Sequence, residues 1–251
     1  MPVHAVALPA TVLLVTGAAG GARPLAEVRA AIRTEVGRCA APDGGPVRTW
    51  GVLAPAVRST TGRRRPSLAA AGIADRWVPL LRDAGDVGAD VRPWPPDPAG
   101  LAASVALLVL ADARGPATAA EAVVVELAPA ADQPARQAAV DALARCDALL
   151  VADGTGPGDP GGTGGTGGTD GAVDAVVARL ADRAGWEATT RTVAVTGPHL
   201  PERYDVVVWG GPGTPGPSGH RAGTQSAAAN QPTPASSSQN RTVRPTRSVG
   251  T

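Results

Sequence analysis

Residues 123–154 read VVVELAPAADQPARQAAVDALARCDALLVADG. EAVVVELA, residues 121–128, is an apolar, β-branched run that predicts a strand. Asp132 and Pro134 then open a helix reaching about Cys146, with Val140 and Leu143 turned inward. DALLVADG, residues 147–154, is a continuous apolar run of the kind buried inside parallel sheets. Strand, helix and strand in this order point to a layered α/β domain.

The same alternation extends in both directions. Toward the N-terminus, VHAVAL and TVLLV are apolar runs, and Pro24 opens a helix at a position that proline tolerates. Leu25, Val28, Ile32, Val36 and Cys39 repeat there at helical spacing, with Arg and Glu on the other face. VRTWGVLA, residues 47–54, predicts a strand. Residues 58–100 are rich in Arg, Gly, Asp and Pro and predict loops with short elements. LAASVALLVLADA, residues 101–113, reads as a buried helix, with a strand as the alternative. Toward the C-terminus, Asp170 caps a helix that presents Val173, Val176, Val177 and Leu180 on one face. RTVAVTG and YDVVVWGG read as closing strands. The expectation is a three-layer α/β domain over residues 1–210, with a mostly parallel or mixed central sheet.

Two segments stand outside this pattern. Residues 154–171 form a Gly/Thr-rich insertion with a Gly-Gly-Thr repeat, read as a surface insertion. Residues 211–251 contain no Asp or Glu, four Arg and hardly any large apolar side chain, and read as a disordered tail.

The net charge of +1 gives no reason to expect nucleic acid or a membrane surface as a partner. All 23 basic residues are Arg, so no Lys is present to act as a Schiff base or a phosphate-loop cation. Cys39 and Cys146 read as free buried thiols. No apolar run reaches the ~20 residues that span a bilayer. The apolar N-terminus lacks the positive start of a secretory signal, so the cytoplasm is expected.

Candidate sites are few. TGAAGGAR, residues 16–23, approaches the dehydrogenase pattern T-G-x-x-x-G-x-G but ends on Arg23, where close helix packing needs glycine. Nucleotide or phosphate binding through the glycine-rich loops is retained as an alternative, although the G-K-[ST] of a phosphate loop is absent. Arg63, Arg64 and Arg65 read as a solvated run or a phosphate contact. His4 begins a strand, the wrong end for an α/β site. His199 and Glu202, in TGPHLPERYD, could supply two ligands of a metal site or form an ordinary loop. Asp153 ends an apolar strand within a glycine turn, as a functional carboxylate or as an Asx turn.

Several stretches resemble one family. AVALPATVLLVTGAAGGARPLAEVRAAI, the block VVVELAPAADQPARQAAVDALARCDALLVADGTGPGDPGG, and the closing PERYDVVVWGG are similar, in that order, to actinobacterial proteins like the class III extradiol ring-cleavage dioxygenases of the B-subunit type. The resemblance covers roughly residues 3–210. It implies an Fe(II) site of two His and one Glu, with a further His as acid–base, and open coordination positions for catecholate and O2. The first His of the family lies in a PHPP-like turn after strand one. That turn here is Leu8-Pro9-Ala10-Thr11, placing Ala10 at the ligand position. The second lies in an SPH-like turn after strand two, which here is Ala54-Pro55-Ala56, placing Ala56 there. The insertion also replaces the family's loop after Asp153.

The resemblance therefore implies a scaffold without the iron site and without ring cleavage. Such a scaffold would bind a small molecule or a protein near Pro9, Ala10, Pro55, Ala56 and Asp153. The alternative is an active Fe(II) oxygenase that uses His199 and Glu202 with a further, unassigned ligand.

Overall fold

The computed structural model describes residues 4–20, 23–86, 94–153, 171–197 and 200–211. The chain divides into Met1–Gly216 and Pro217–Thr251, and every described residue belongs to the first unit. The expected insertion at 154–171 lies almost wholly outside the described residues, as do the expected Asp170 cap and all but Gly211 of the expected tail.

Seven strands form one mixed sheet: β1 (His4–Pro9), β2 (Trp50–Pro55), β3 (Thr60–Gly62), β4 (Val123–Leu127), β5 (Ala148–Asp153), β6 (Glu187–Ala194) and β7 (Arg203–Gly210). Their order across the sheet is β3-β4-β2-β5-β1-β7-β6. The four central strands are parallel, and β3, β7 and β6 run antiparallel to their neighbours. Six helices are described: α1 (Ala26–Arg38), α2 (Pro79–Asp86), α3 (Leu101–Arg114), α4 (Pro116–Ala120), α5 (Gln133–Leu143) and α6 (Gly171–Ala184).

Alternation along the strands divides the core in two. Val6, Leu8, Val52, Ala54, Val124, Leu150 and Ala152 pack with α1 and α3 on one face. Ala5, Ala7, Leu53, Val125, Leu149 and Val151 pack with α5 and α6 on the other. A period of two along each strand sends successive side chains to opposite faces, so strands covered on both sides must be apolar throughout. The expected three-layer α/β arrangement is the observed one.

Local chemistry explains the element boundaries. Asp132 caps α5 by accepting from the amide of Ala135 at 2.8 Å. The run 101–113 is helical, between Gly100 at its start and Gly115, with φ 92°, at its end. Its residues 103–111 are all buried, which is why the apolar run shows no clear face. The second apolar run near the start is not a strand: Val12–Leu14 form a 3-10 turn capped by the Thr11 hydroxyl. The first closing strand begins at Glu187 rather than Arg191; its exposed first residues carry no burial pattern that would mark it.

Candidate functional site

The site follows from how the strands are connected. β1 leads through α1 to β2, and β2 leads through α3 to β4, with both helices on one face. β4 leads through α5 to β5, and β5 is followed by α6, both on the other face. β5 lies between β1 and β2. Connections therefore leave adjacent strands toward opposite faces at the carboxyl ends of β1, β5 and β2. Such a reversal opens a crevice where α/β proteins bind ligands.

The five cleft residues expected from sequence come to this rim. Pro9 and Asp153 are register partners at the ends of β1 and β5. Pro55 ends β2 opposite Leu127, and the Ala56 amide donates to the Leu127 carbonyl at 2.9 Å. Ala10 is half-buried and packs against the core on the α1 side. Thr11 turns the chain immediately after it, its amide donating to the Pro9 carbonyl at 2.8 Å. Val57, next to Ala56, is 93% exposed.

One buried carboxylate beside this rim was not anticipated. Glu126, on β4, is buried. One oxygen accepts from the Gly100 amide at the start of α3 at 2.6 Å, and the other from the Thr60 hydroxyl at 2.9 Å. A methyl group on Gly100 would fall 2.7 Å from that same carboxylate oxygen and 3.9 Å from the Ala56 Cβ, which sets Glu126 behind Ala56. The sequence signal was a single acid inside VVVEL. A charged side chain in a doubly covered strand has to be paired.

The described residues do not fit a ferrous ion. Ala10 and Ala56 carry no donor atom, and both oxygens of Glu126 are engaged by Gly100 and Thr60. Among the described residues, no three His, Cys, Asp or Glu side chains gather as a metal site would require. His199 lies outside the described residues. Glu202 is exposed, and its carbonyl accepts from the Val195 amide at 2.8 Å, closing the β6–β7 hairpin. β7 runs antiparallel to β1, so Glu202 stands at the same end of the sheet as Pro9. His4 is buried at the opposite end of β1, about 17 Å away along the strand. Burial lowers its pKa, because the protonated ring loses hydration.

The glycine cluster after β1 is not arranged as a dinucleotide turn. A nucleotide fingerprint needs its glycines at the strand end. Here the 3-10 turn intervenes, and Gly17, at φ 85°, sits where a methyl group would meet Pro79 Cδ at 2.7 Å. Close approach of the 77–79 segment accounts for Gly17 without a phosphate. Arg29 fastens this loop from α1, donating through Nε to the Leu14 carbonyl at 2.9 Å.

The arginine run is likewise occupied. Arg63 pairs with Glu121 at 2.6 Å, Arg64 with Asp97 at 3.5 Å, and Arg65 with Asp75 at 2.8 Å. Asp75 also accepts from Ser67 at 3.0 Å, so the run holds the long 58–100 connection in place. Cys39 and Cys146 are free, buried thiols, their pKa values pushed up by burial to about 12 and about 11.

No family model matches the chain, and no curated protein matches it. No helix among the described residues is long and apolar enough to cross a membrane.

Proposed function

We propose that the chain is a binding module built on a scaffold resembling the B-subunit type of the class III extradiol dioxygenases, without ring-cleaving chemistry. Its ligand is a small, ring-bearing molecule held in the crevice at the ends of β1, β5 and β2. The observation that carries this reading is that Pro9 and Ala10 after β1, and Pro55 and Ala56 after β2, stand at strand ends on either side of β5, where the connections reverse. Methyl and pyrrolidine surfaces there suit a flat apolar ring, and backbone groups at the strand ends suit its polar substituents. The resemblance sets imidazoles at positions 10 and 56, and alanines stand there instead. On this reading the protein works in the cytoplasm, with neither nucleic acid nor a membrane as its partner.

A thermal-shift panel of catechols, aromatic acids, NAD, ATP and phosphate tests the proposal. A rise in Tm with a ring-bearing ligand that Ala56→Arg abolishes is the expected result. A rise with NAD or ATP alone would favour the glycine loops. Catechol-dependent O2 uptake would favour an oxygenase built on His199 and Glu202.

A second reading, a protein as the ligand of the same face, is favoured by one observation. Val57 and Trp77 are the large apolar side chains most exposed among the described residues, at 93% and 66%. Val57 is the second residue after β2 and adjoins the rim residue Ala56.

A further inference from the structure

We propose that the outer edge of β6 pairs with the same strand of a second copy of this chain, forming an antiparallel, two-fold symmetric dimer across the sheet edge. Among the described residues, β6 ends the sheet, and β7 occupies only its inner side. An unpaired edge leaves a row of amides and carbonyls open to another strand, and proteins blunt such edges with proline, lysine, bulges or short length. The opposite edge follows that rule: β3 has three residues, and Thr60 within it is tied to Glu126. β6 does not. It has eight residues, EATTRTVA, with no proline, and it pairs with β7 over eight consecutive positions without a bulge; its two charges, Glu187 and Arg191, are of opposite sign. Residues Glu187 to Thr192 are all exposed.

The charges select the partner and the register. Glu187 and Arg191 are the only charged residues of β6. Antiparallel self-pairing centred on Thr189 sets Glu187 of each copy opposite Arg191 of the other, and Thr189 opposite itself. Glu187, Thr189 and Arg191 alternate onto one face. That is the face of α1, because Arg191 reaches Glu35 at 3.4 Å. Directly opposed side chains lie ~5 Å apart, within reach of an ion pair, and opposed threonines are a favourable cross-strand pair. Shifting the centre to residue 187 or residue 191 would oppose Glu to Glu or Arg to Arg. Arg191 retains donors beyond its contact with Glu35, since a guanidinium carries five N–H groups. The two copies contribute the same strand, which makes the contact isologous and closed.

Sedimentation velocity on the full chain up to about 500 µM tests this, a range suited to a weak, strand-limited contact. The expected result is a concentration-dependent species of twice the 24.9 kDa chain mass. Glu187→Arg alone, or Arg191→Glu alone, opposes like charges twice and lowers the association constant about tenfold or more. Mixing the two variants restores association, because both cross-strand pairs of the mixed dimer then set an arginine against a glutamate. Loss of the Glu35 contact cannot produce that rescue. Should Arg191→Glu fail to fold, Thr189→Arg and Thr189→Asp supply the same test on the symmetry axis: each weakens self-association, and the mixture recovers it. A wild-type chain that stays monomeric overturns the proposal, whether its β6 amides exchange freely or are protected by another segment of the same chain. So does a dimer whose association is unchanged by these variants.

Discussion

Glu126→Ala is the perturbation most sharply defined by the structure. The carboxylate is 5% exposed and bridges three elements: β4 that carries it, the Gly100 amide at the start of α3, and Thr60 on β3. Truncation leaves the Gly100 amide without its acceptor, at a cost of ~1–3 kcal/mol for a buried unpaired donor. Loss of a negative charge at the first turn of α3 adds ~0.3–1 kcal/mol. Thr60 is half-buried and turns to water at little further cost. The expected destabilisation is therefore about 1–4 kcal/mol, a sizeable part of the ~5–15 kcal/mol that holds a domain folded. Glu126→Gln keeps an oxygen for Gly100 and offers an N–H to the Thr60 oxygen, so its cost falls to about 1 kcal/mol. Urea unfolding followed by tryptophan fluorescence measures both. An alanine variant within about 0.5 kcal/mol of wild type would refute the assignment of Glu126 as the tie behind Ala56.

Three other substitutions or titrations follow from particular contacts. Gly51→Ala puts a methyl group 2.5 Å from Leu149 Cδ2 and 2.8 Å from Leu143 Cδ2, inside a buried strand. Overpacking should lower stability by about 1–3 kcal/mol in chemical denaturation, despite the entropic gain of replacing glycine. The depressed pKa of His4 means that the unfolded chain takes up a proton the folded one resists. Its contribution is fully present above about pH 6.5 and is lost as pH falls from there through the folded value; His4→Gln should remove that part of the pH–stability curve. Cys39 and Cys146, with thiol pKa values raised to about 12 and about 11, should resist iodoacetamide at pH 8 in the native protein and react once it is unfolded, as read by intact mass.

The layered fold was legible because the signals behind it are local. Asp132 and Pro134 mark a helix start within a few residues, and the apolar runs of β4 and β5 carry their burial in composition. The α3 run was ambiguous, since a helix buried on all sides has no polar face, and flanking glycines decided it. Residues 13–15 are as apolar as a strand, yet the Thr11 cap and the sharp turn after Pro9 make them a 3-10 turn. Asp153 could be named because the apolar run before it marks a strand end, whereas Pro9, Ala10, Pro55 and Ala56 were singled out by the resemblance, at its two histidine-bearing turns. Glu126 could not be assigned a role that way. Its partners Thr60 and Gly100 lie 66 and 26 residues distant, and only the sheet order and the seating of α3 bring them to it. The first half of β6 was missed for the opposite reason: a strand exposed on both faces shows no alternation.

The proposed loss of the iron site rests on the alanines at positions 10 and 56, whose side chains end at a methyl group. Anaerobic reconstitution of the full chain with Fe(II), followed by desalting and metal analysis, tests it most directly. The expected result is iron far below one equivalent per chain, with no change on substituting Ala10 or Ala56 by glycine. One tightly held iron per chain, together with O2 consumption on adding catechol, would contradict it.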